Sequence, residues 1–189
     1  GSRDLVNDVS LTLHVGEMLA ITGPNGVGKS SLLTTLVAEA PSQGICRLVP
    51  ENVSSLFITE TLEEELSRAD TLAGHKHSGL TAMTFWSILA SEESAELLQV
   101  HPRDLSAGTQ VALAIALQLA WKPQVILIDE PTRGLDPVAR TAMAEVLRCV
   151  AETGTAVLFA SHDEVFVSDL GCRVLTIREG ALVPEEVPA

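Results

Sequence analysis

At 189 residues the chain is long enough for one well-buried core, with room for a small subdomain. Its formal net charge is 12 − 25 = −13, which argues against a nucleic-acid surface, because such a surface needs clustered Lys and Arg. Mean hydropathy is positive, yet no apolar run reaches the roughly 18 residues that span a bilayer. The three cysteines are far apart and make no metal-ligand spacing, which reads as reduced thiols in a cytoplasmic protein.

Gly1-Ser2 reads as a cloning remnant, and nothing after it reads as a secretion leader. From Leu5 to Val15, apolar Val9, Leu11, Leu13 and Val15 alternate with polar residues, which predicts a strand. Gly16-Glu17 predicts a turn. Met18 to Thr22 is short and apolar, as a buried parallel strand requires. Gly23 to Ser30 then fills every fixed position of G-x-x-x-x-G-K-[ST], and Ser31 to Val37 reads as a helix start. Strand, glycine loop and helix in this order form a phosphate cradle. Glycines allow backbone conformations closed to residues with a Cβ, so successive N–H groups can face one anion, and the helix adds its positive end. Gly23, Asn25, Gly26, Gly28 and Ser31 are the expected phosphate-binding positions. Lys29 is expected to reach the β- and γ-phosphates of a nucleoside triphosphate and the Ser30 hydroxyl to ligate Mg2+.

The first helix is expected to end near Ala40-Pro41, with a turn at 42–44 and a short strand from Ile45 to Val49 that Pro50-Glu51-Asn52 breaks. Thr61 and Glu64 form a capping box that opens a helix. That helix should stop before the polar stretch 73–79. Two more helices are predicted, Thr81 to Leu89 and Glu92 to Gln99. His75 and His77 lie two apart in the intervening loop, which reads as solvated rather than metal-binding. From Asp104 the α/β pattern returns. Ser106 caps a helix to Ala120 that is apolar nearly all round and so buried. Val125 to Ile128 is a continuous apolar strand, Asp136-Pro137 opens a helix ending near Gly154, and Thr155 to Ala160 is another strand. Arg173 to Val183 reads as two strands turning at Glu179-Gly180. The predicted fold class is α/β: a P-loop NTPase with a mainly parallel sheet flanked by helices, a small helical subdomain and a reduced antiparallel β-subdomain. The predicted division is 3–59, first part of the nucleotide-binding core; 60–103, helical subdomain; and 104–189, second part of the core.

Three further constellations carry chemistry. Asp129 and Glu130 end a hydrophobic strand, where ligands gather in such sheets. Asp129 is expected to hold Mg2+ and Glu130 to take a proton from, or orient, an attacking water. Leu105 to Thr109 combines a serine, a glycine and a helix N-terminus into a second anion-seeking loop. Such a loop makes sense if Ser106 and Gly108 contact a nucleotide bound to another subunit. His162, at another strand end, can reach a γ-phosphate.

The order of these motifs resembles the nucleotide-binding subunit of ATP-binding-cassette (ABC) transporters, over almost the whole chain. Gly23 to Ser30 matches Walker A, Leu105 to Thr109 the LSGGQ signature, and Val125 to Glu130 Walker B with its catalytic glutamate. His162 matches the switch histidine, and Thr132 to Asp136 the loop that crosses between subunits. A finer similarity is to the ATPases of energy-coupling-factor (ECF) importers, carried by Thr132-Arg133-Gly134-Leu135-Asp136, Glu51 to Phe57, and Thr61 to Glu65. The resemblance implies ATP and Mg2+, with Glu130 and His162 catalytic and Glu51 added to Ser30 and Asp129 at the metal. It also implies a second cassette, an integral membrane transporter subunit, and a location on the inner face of the cell membrane.

The departures matter. The Q-loop glutamine is replaced by Glu51, which when ionised only accepts hydrogen bonds. The signature carries Ala107 and Thr109 where the family has glycine and glutamine. Lys29 to Glu51 spans 51 − 29 = 22 residues, which is short and implies a trimmed antiparallel subdomain. No aromatic residue precedes Gly23 to stack on adenine. Together these point to one half of an unequal pair, such as the C-terminal half of a fused double ATPase. Two other readings stay open: a regulatory cassette that binds ATP with little turnover, and a soluble ABC protein of translation or DNA repair.

Overall fold

The computed structural model describes residues 11–40, 45–75 and 78–184. Thirteen main elements follow in chain order: β1 (Met18–Thr22), α1 (Lys29–Glu39), β2 (Cys46–Val49), α2 (Leu62–Leu72), α3 (Leu80–Ile88), α4 (Ala95–Leu98), α5 (Ala107–Leu119), β3 (Val125–Asp129), α6 (Pro137–Glu152), β4 (Ala156–Ala160), α7 (Glu164–Leu170), β5 (Arg173–Arg178) and β6 (Ala181–Pro184). Short 3-10 turns cover Val53–Leu56 and Pro102–Asp104. The six strands form one sheet in the order β2-β3-β4-β1-β5-β6. Pairings are parallel except β5 with β6, the only antiparallel pair among the described residues. The central strands are apolar on both faces because helices cover both. Leu19, Ile21, Leu127 and Leu158 face Leu32 and Leu33 of α1, while Ala20, Ile126, Ile128 and Phe159 face the cluster built by α5, α6 and α7.

Helices α2 to α4 lie between β2 and α5 in sequence. They share a core with it: Leu62, Leu66, Phe85 and Trp86 belong to the same buried cluster as Val111 to Leu117 of α5. Thr61 caps α2 by accepting from Glu64 N (3.2 Å), but the Glu64 carboxylate takes Glu60 N (3.2 Å) rather than the Thr61 N–H of a full capping box.

Three elements differ from expectation. Of the predicted strand from Leu5 to Val15, residues 5–10 lie outside the described residues, as does the predicted turn at 42–44, and 11–15 are not a strand. Leu11 and Leu13 pack on the α1 side of the sheet while Val15 is 87% exposed, so the alternation reports one-sided burial without ladder pairing. The segment is held instead by Arg173, which donates to Thr12 O (2.8 Å), and by Gly16 N, which donates to Gly154 O (3.2 Å). Helix α4 is four residues, starting where Ser94 accepts from Leu97 N, not at Glu92. Helix α7 is additional: Asp163 caps it and Gly171, at φ 61°, ends it.

A buried carboxylate fixes the passage from β2 into α2. Glu65 is fully buried and its Oε2 accepts from Ile58 N (2.8 Å), Thr59 N (2.9 Å) and Thr59 Oγ1 (2.8 Å). Its Oε1 takes Arg68 Nε at 2.9 Å. Burial alone would raise this carboxyl, but the donors from Thr59, Arg68 and Ile58 outweigh it and hold it below the ordinary glutamate value. Asp70 shows the same balance: burial opposes, yet Thr81 Oγ1 (2.6 Å) and Thr81 N (2.9 Å) lower it. A lowered folded pKa stabilises above the unfolded value of about 4 and is lost as pH falls through the folded one. Glu65→Ala is expected to cost about 2–3 kcal/mol, by stranding the Ile58 and Thr59 donors. In urea melts, Glu65→Gln should flatten the loss of stability below about pH 4 relative to the parent chain.

Candidate functional site

The strand order builds the site. β3, β4 and β1 are neighbours, and their C-terminal ends release Asp129-Glu130, Ser161-His162 and the Gly23–Gly28 loop side by side. Glu130 N donates to Ala160 O (2.9 Å) and Ser161 N to Ile21 O (3.0 Å), which ties the three ends together. In the glycine loop, Gly23 (φ 140°), Gly26 (φ 79°) and Gly28 (φ 112°) occupy backbone space that favours glycine. At Gly23 a Cβ would also meet Val27 Cγ1 at 3.2 Å and Ile177 O at 3.3 Å.

Lys29 opens α1 and is buried. Its Nζ donates to Gly23 O (2.9 Å) and lies 3.7 Å from Glu130 Oε1. Glu130 holds a left-handed backbone (φ 51°), a strained conformation for a non-glycine residue at the strand end. Its Oε2 accepts from His162 Nδ1 at 2.7 Å and from His162 N at 3.3 Å. The carboxylate is thus held between an ammonium at the start of α1 and an imidazole that follows β4.

Asp129 lies one residue before it and is buried. Burial pushes its carboxyl above the ordinary aspartate value, and the Glu130 charge adds to that; the Ser30 hydroxyl, hydrogen-bonded to Asp129, and Lys29 pull the other way. Asp129 Oδ1 is buried without a partner among the described residues. A stranded carboxylate oxygen beside a serine hydroxyl fits a hard divalent cation. Mg2+ takes one or two protein oxygens and completes its shell with phosphate and water. Among the described residues no cluster of three or more His, Cys, Asp or Glu forms an all-protein metal cage, and His77 lies outside them.

A cavity of about 530 Å³ joins these groups: Asn25, Gly26, Gly28, Lys29, Ser30 and Ser31 line one side and Glu51, Arg133 and His162 the other. An adjoining cavity of about 150 Å³ brings Glu51 and Arg133 beside Asp129 and Glu130. Of the expected residues in the glycine loop, Walker B and switch segments, all but Gly23 line one of these two cavities, and Glu51 joins them. Its carboxylate is ion-paired with Arg133, a residue that sequence reading passed over as part of the crossing loop.

Ser106 and Gly108 do not line this cavity. Ser106 caps α5, accepting from Thr109 N (3.2 Å), with its Oγ 2.7 Å from Thr109 Oγ1. A Cβ on Gly108 would meet only Ala139 Cβ at 3.6 Å and Leu135 Cδ2 at 3.9 Å, ordinary contact distances. Packing within the chain does not demand that glycine.

Comparison with known proteins decides the family. Residues 6–133 match the profile described as ABC transporter. The chain belongs to the ABC transporter family. ATP binding and hydrolysis are the activities of this family's cassettes. Among curated relatives, an ABC transporter ATP-binding protein of Streptomyces coelicolor is 33% identical, over 94% of this chain and 34% of its own length. The HMP/thiamine import ATP-binding protein YkoD of Bacillus subtilis is 30% identical, over 100% of this chain and 37% of its own. The amino-acid import ATP-binding protein YxeO of the same organism is 27% identical, over 98% of this chain and 85% of its own. The chain thus spans about a third of the length of the first of these relatives. Among solved structures, cbiO1 of Clostridium perfringens, part of the ABC transporter complex cbiONQ, superposes with TM-score 0.81 at 21% identity, covering 95% of this chain and 80% of its own. The dimeric cassette MJ0796, bound to ADP and Pi, gives 0.75 at 24%, covering 96% and 90%. These two establish the fold. No helix among the described residues is long and apolar enough to cross a membrane.

Proposed function

We propose that this chain is the ATP-hydrolysing cassette of an ECF-like membrane transporter, working as one half of a head-to-tail pair. The observation that carries the reading is Glu130, poised between Lys29 and His162 at the end of β3. The N–H groups of Gly26, Gly28, Lys29, Ser30 and Ser31 would bind the phosphates, with Asn25 and Gly23 shaping the loop. Lys29 would exchange its bonds to Gly23 O for β- and γ-phosphate oxygens. Ser30 and Asp129 would hold Mg2+, with Glu51 adjoining, and the ion would neutralise phosphate charge. Glu130 would accept a proton as water oxygen bonds to the γ-phosphorus, while the bond from that phosphorus to the ADP oxygen breaks. His162 would hold the Glu130 carboxylate and contact the γ-phosphate.

Ser106 and Gly108 would serve the partner's nucleotide. Gly108 has no steric reason within this chain, and neither it nor Ser106 lines the chain's own cavity, although Ala107 at the start of α5 borders the adjoining one. Residues 60–103 would form the helical subdomain that meets the membrane subunit, and the cassette would lie on the inner face of the cell membrane. The cbiO1 superposition and the likeness to YkoD support the ECF-like reading. The one-third coverage supports a fused double cassette. ATP favouring the closed pair and ADP the open one would drive transport.

Ser106→Arg tests the pair. It should leave ATP affinity of this chain's own cavity unchanged, by equilibrium titration. It should lower hydrolysis at the partner's site by about 10²-fold or more, because the anion-seeking loop is blocked. Unchanged turnover at the partner's site would remove Ser106 from the composite site.

The ion-paired Glu51 favours one second reading, a regulatory cassette that binds ATP and leaves turnover to its partner. The intact Lys29–Glu130–His162 arrangement weighs against it.

A further inference from the structure

Glu51 adds a negative charge where a triphosphate has to fit. It lines the cavity beside Lys29 and Ser30 and the adjoining one beside Asp129 and Glu130. A glutamine there would be neutral. The ionised glutamate brings a third carboxylate to these walls, and like charges at a few ångströms repel a polyphosphate strongly wherever water is partly excluded.

Arg133 answers that charge directly. Its guanidinium pairs with the Glu51 carboxylate and lines both cavities. The backbone fixes its place: Arg133 N donates to Glu130 O at 3.1 Å, Leu135 N donates to Thr132 O at 3.1 Å, and Gly134 turns the chain at φ 75°. The loop that follows the catalytic glutamate thus delivers a cation to the residue facing it. Stability is not the reason for the pair. Arg133 is 66% and Glu51 36% exposed, and pairs so exposed add little to folding.

We propose that Arg133 is a positioning residue that neutralises Glu51 and so makes the cavity competent for the γ-phosphate end of ATP. The proposal rests on the reading of this cavity as the ATP site. The altered Glu51 is then half of a compensated pair, and not a lesion that silences the site. The two residues should be thermodynamically coupled: Arg133 matters to nucleotide affinity because Glu51 is charged.

A double-mutant cycle tests this. The parent chain, Arg133→Ala, Glu51→Gln and the double variant are titrated with Mg2+ and a non-hydrolysable ATP analogue. Unfolding temperature is measured without nucleotide. Arg133→Ala should weaken binding about tenfold when Glu51 is present and less than about threefold in the Glu51→Gln background. Unfolding temperatures should stay together. Arg133→Lys should lie between, since a point charge restores the neutrality but not the planar fork. Equal losses in both backgrounds would overturn the proposal and make Arg133 a direct phosphate or partner contact; no loss in either would also overturn it. Lys29→Ala in the same titration separates the two readings. If it abolishes binding while the cycle shows no coupling, the pairing idea alone fails. If it leaves binding intact, the ATP site itself is wrong.

Discussion

Glu130→Gln is expected to slow ATP hydrolysis by about 10²–10⁴-fold while ATP stays bound, the loss typical of removing a positioned general base. The substitution keeps the side chain's shape and the left-handed backbone at φ 51°. It removes the negative charge held between Lys29 Nζ at 3.7 Å and His162 Nδ1 at 2.7 Å. An amide cannot take the proton from water. It also repels the phosphates less, so affinity should hold or rise, and with a competent partner the ATP-bound pair should accumulate. Single-turnover hydrolysis and size-exclusion chromatography with Mg2+ and ATP check both halves. Hydrolysis at the parent rate would take Glu130 out of the reaction.

Lys29→Ala should weaken ATP binding by about 10²-fold, the order expected when a charge-assisted contact to phosphate is lost from a closed site. Lys29 is buried at the mouth of the loop and its ammonium already bridges Gly23 O and the Glu130 carboxylate. Removing it leaves Glu130 without its nearest cation, so the cavity turns against anions twice over. The reading is the rise in unfolding temperature on adding Mg2+ and ATP, large for the parent chain and nearly absent for the variant. An equal rise in both would show that the nucleotide sits elsewhere.

The parts legible in the sequence are those whose chemistry depends on short spacing. The glycine loop, the acids closing β3 and the Ser106 cap are each written in consecutive residues, with a strand or helix beside them that periodicity reveals. The illegible parts depend on which strands become neighbours. His162 meets Glu130 because β4 lies beside β3, and Arg133 meets Glu51 because β2 flanks β3 on the other side. Nothing local to Glu51 announces its partner 133 − 51 = 82 positions on. Helix α7 escaped notice because seven residues carry little periodicity, although Asp163 and Gly171 bracket it as caps. The alternation through Leu11 and Leu13 read as a strand because one-sided burial leaves the same pattern whether or not a ladder forms.

Ser106 caps α5 and Thr109 is half-buried, but Gly108 answers no packing need within this chain. On the proposed pairing Gly108 would serve a second cassette, which raises the question of which site turns over. The most direct measurement is single-turnover hydrolysis of radiolabelled ATP by this cassette assembled with its partner, the partner's own phosphate-loop lysine being replaced by alanine. The account predicts that the one remaining site releases labelled phosphate, and that Glu130→Gln on this chain abolishes the release. Bound ATP that stays intact in the assembled pair would contradict it.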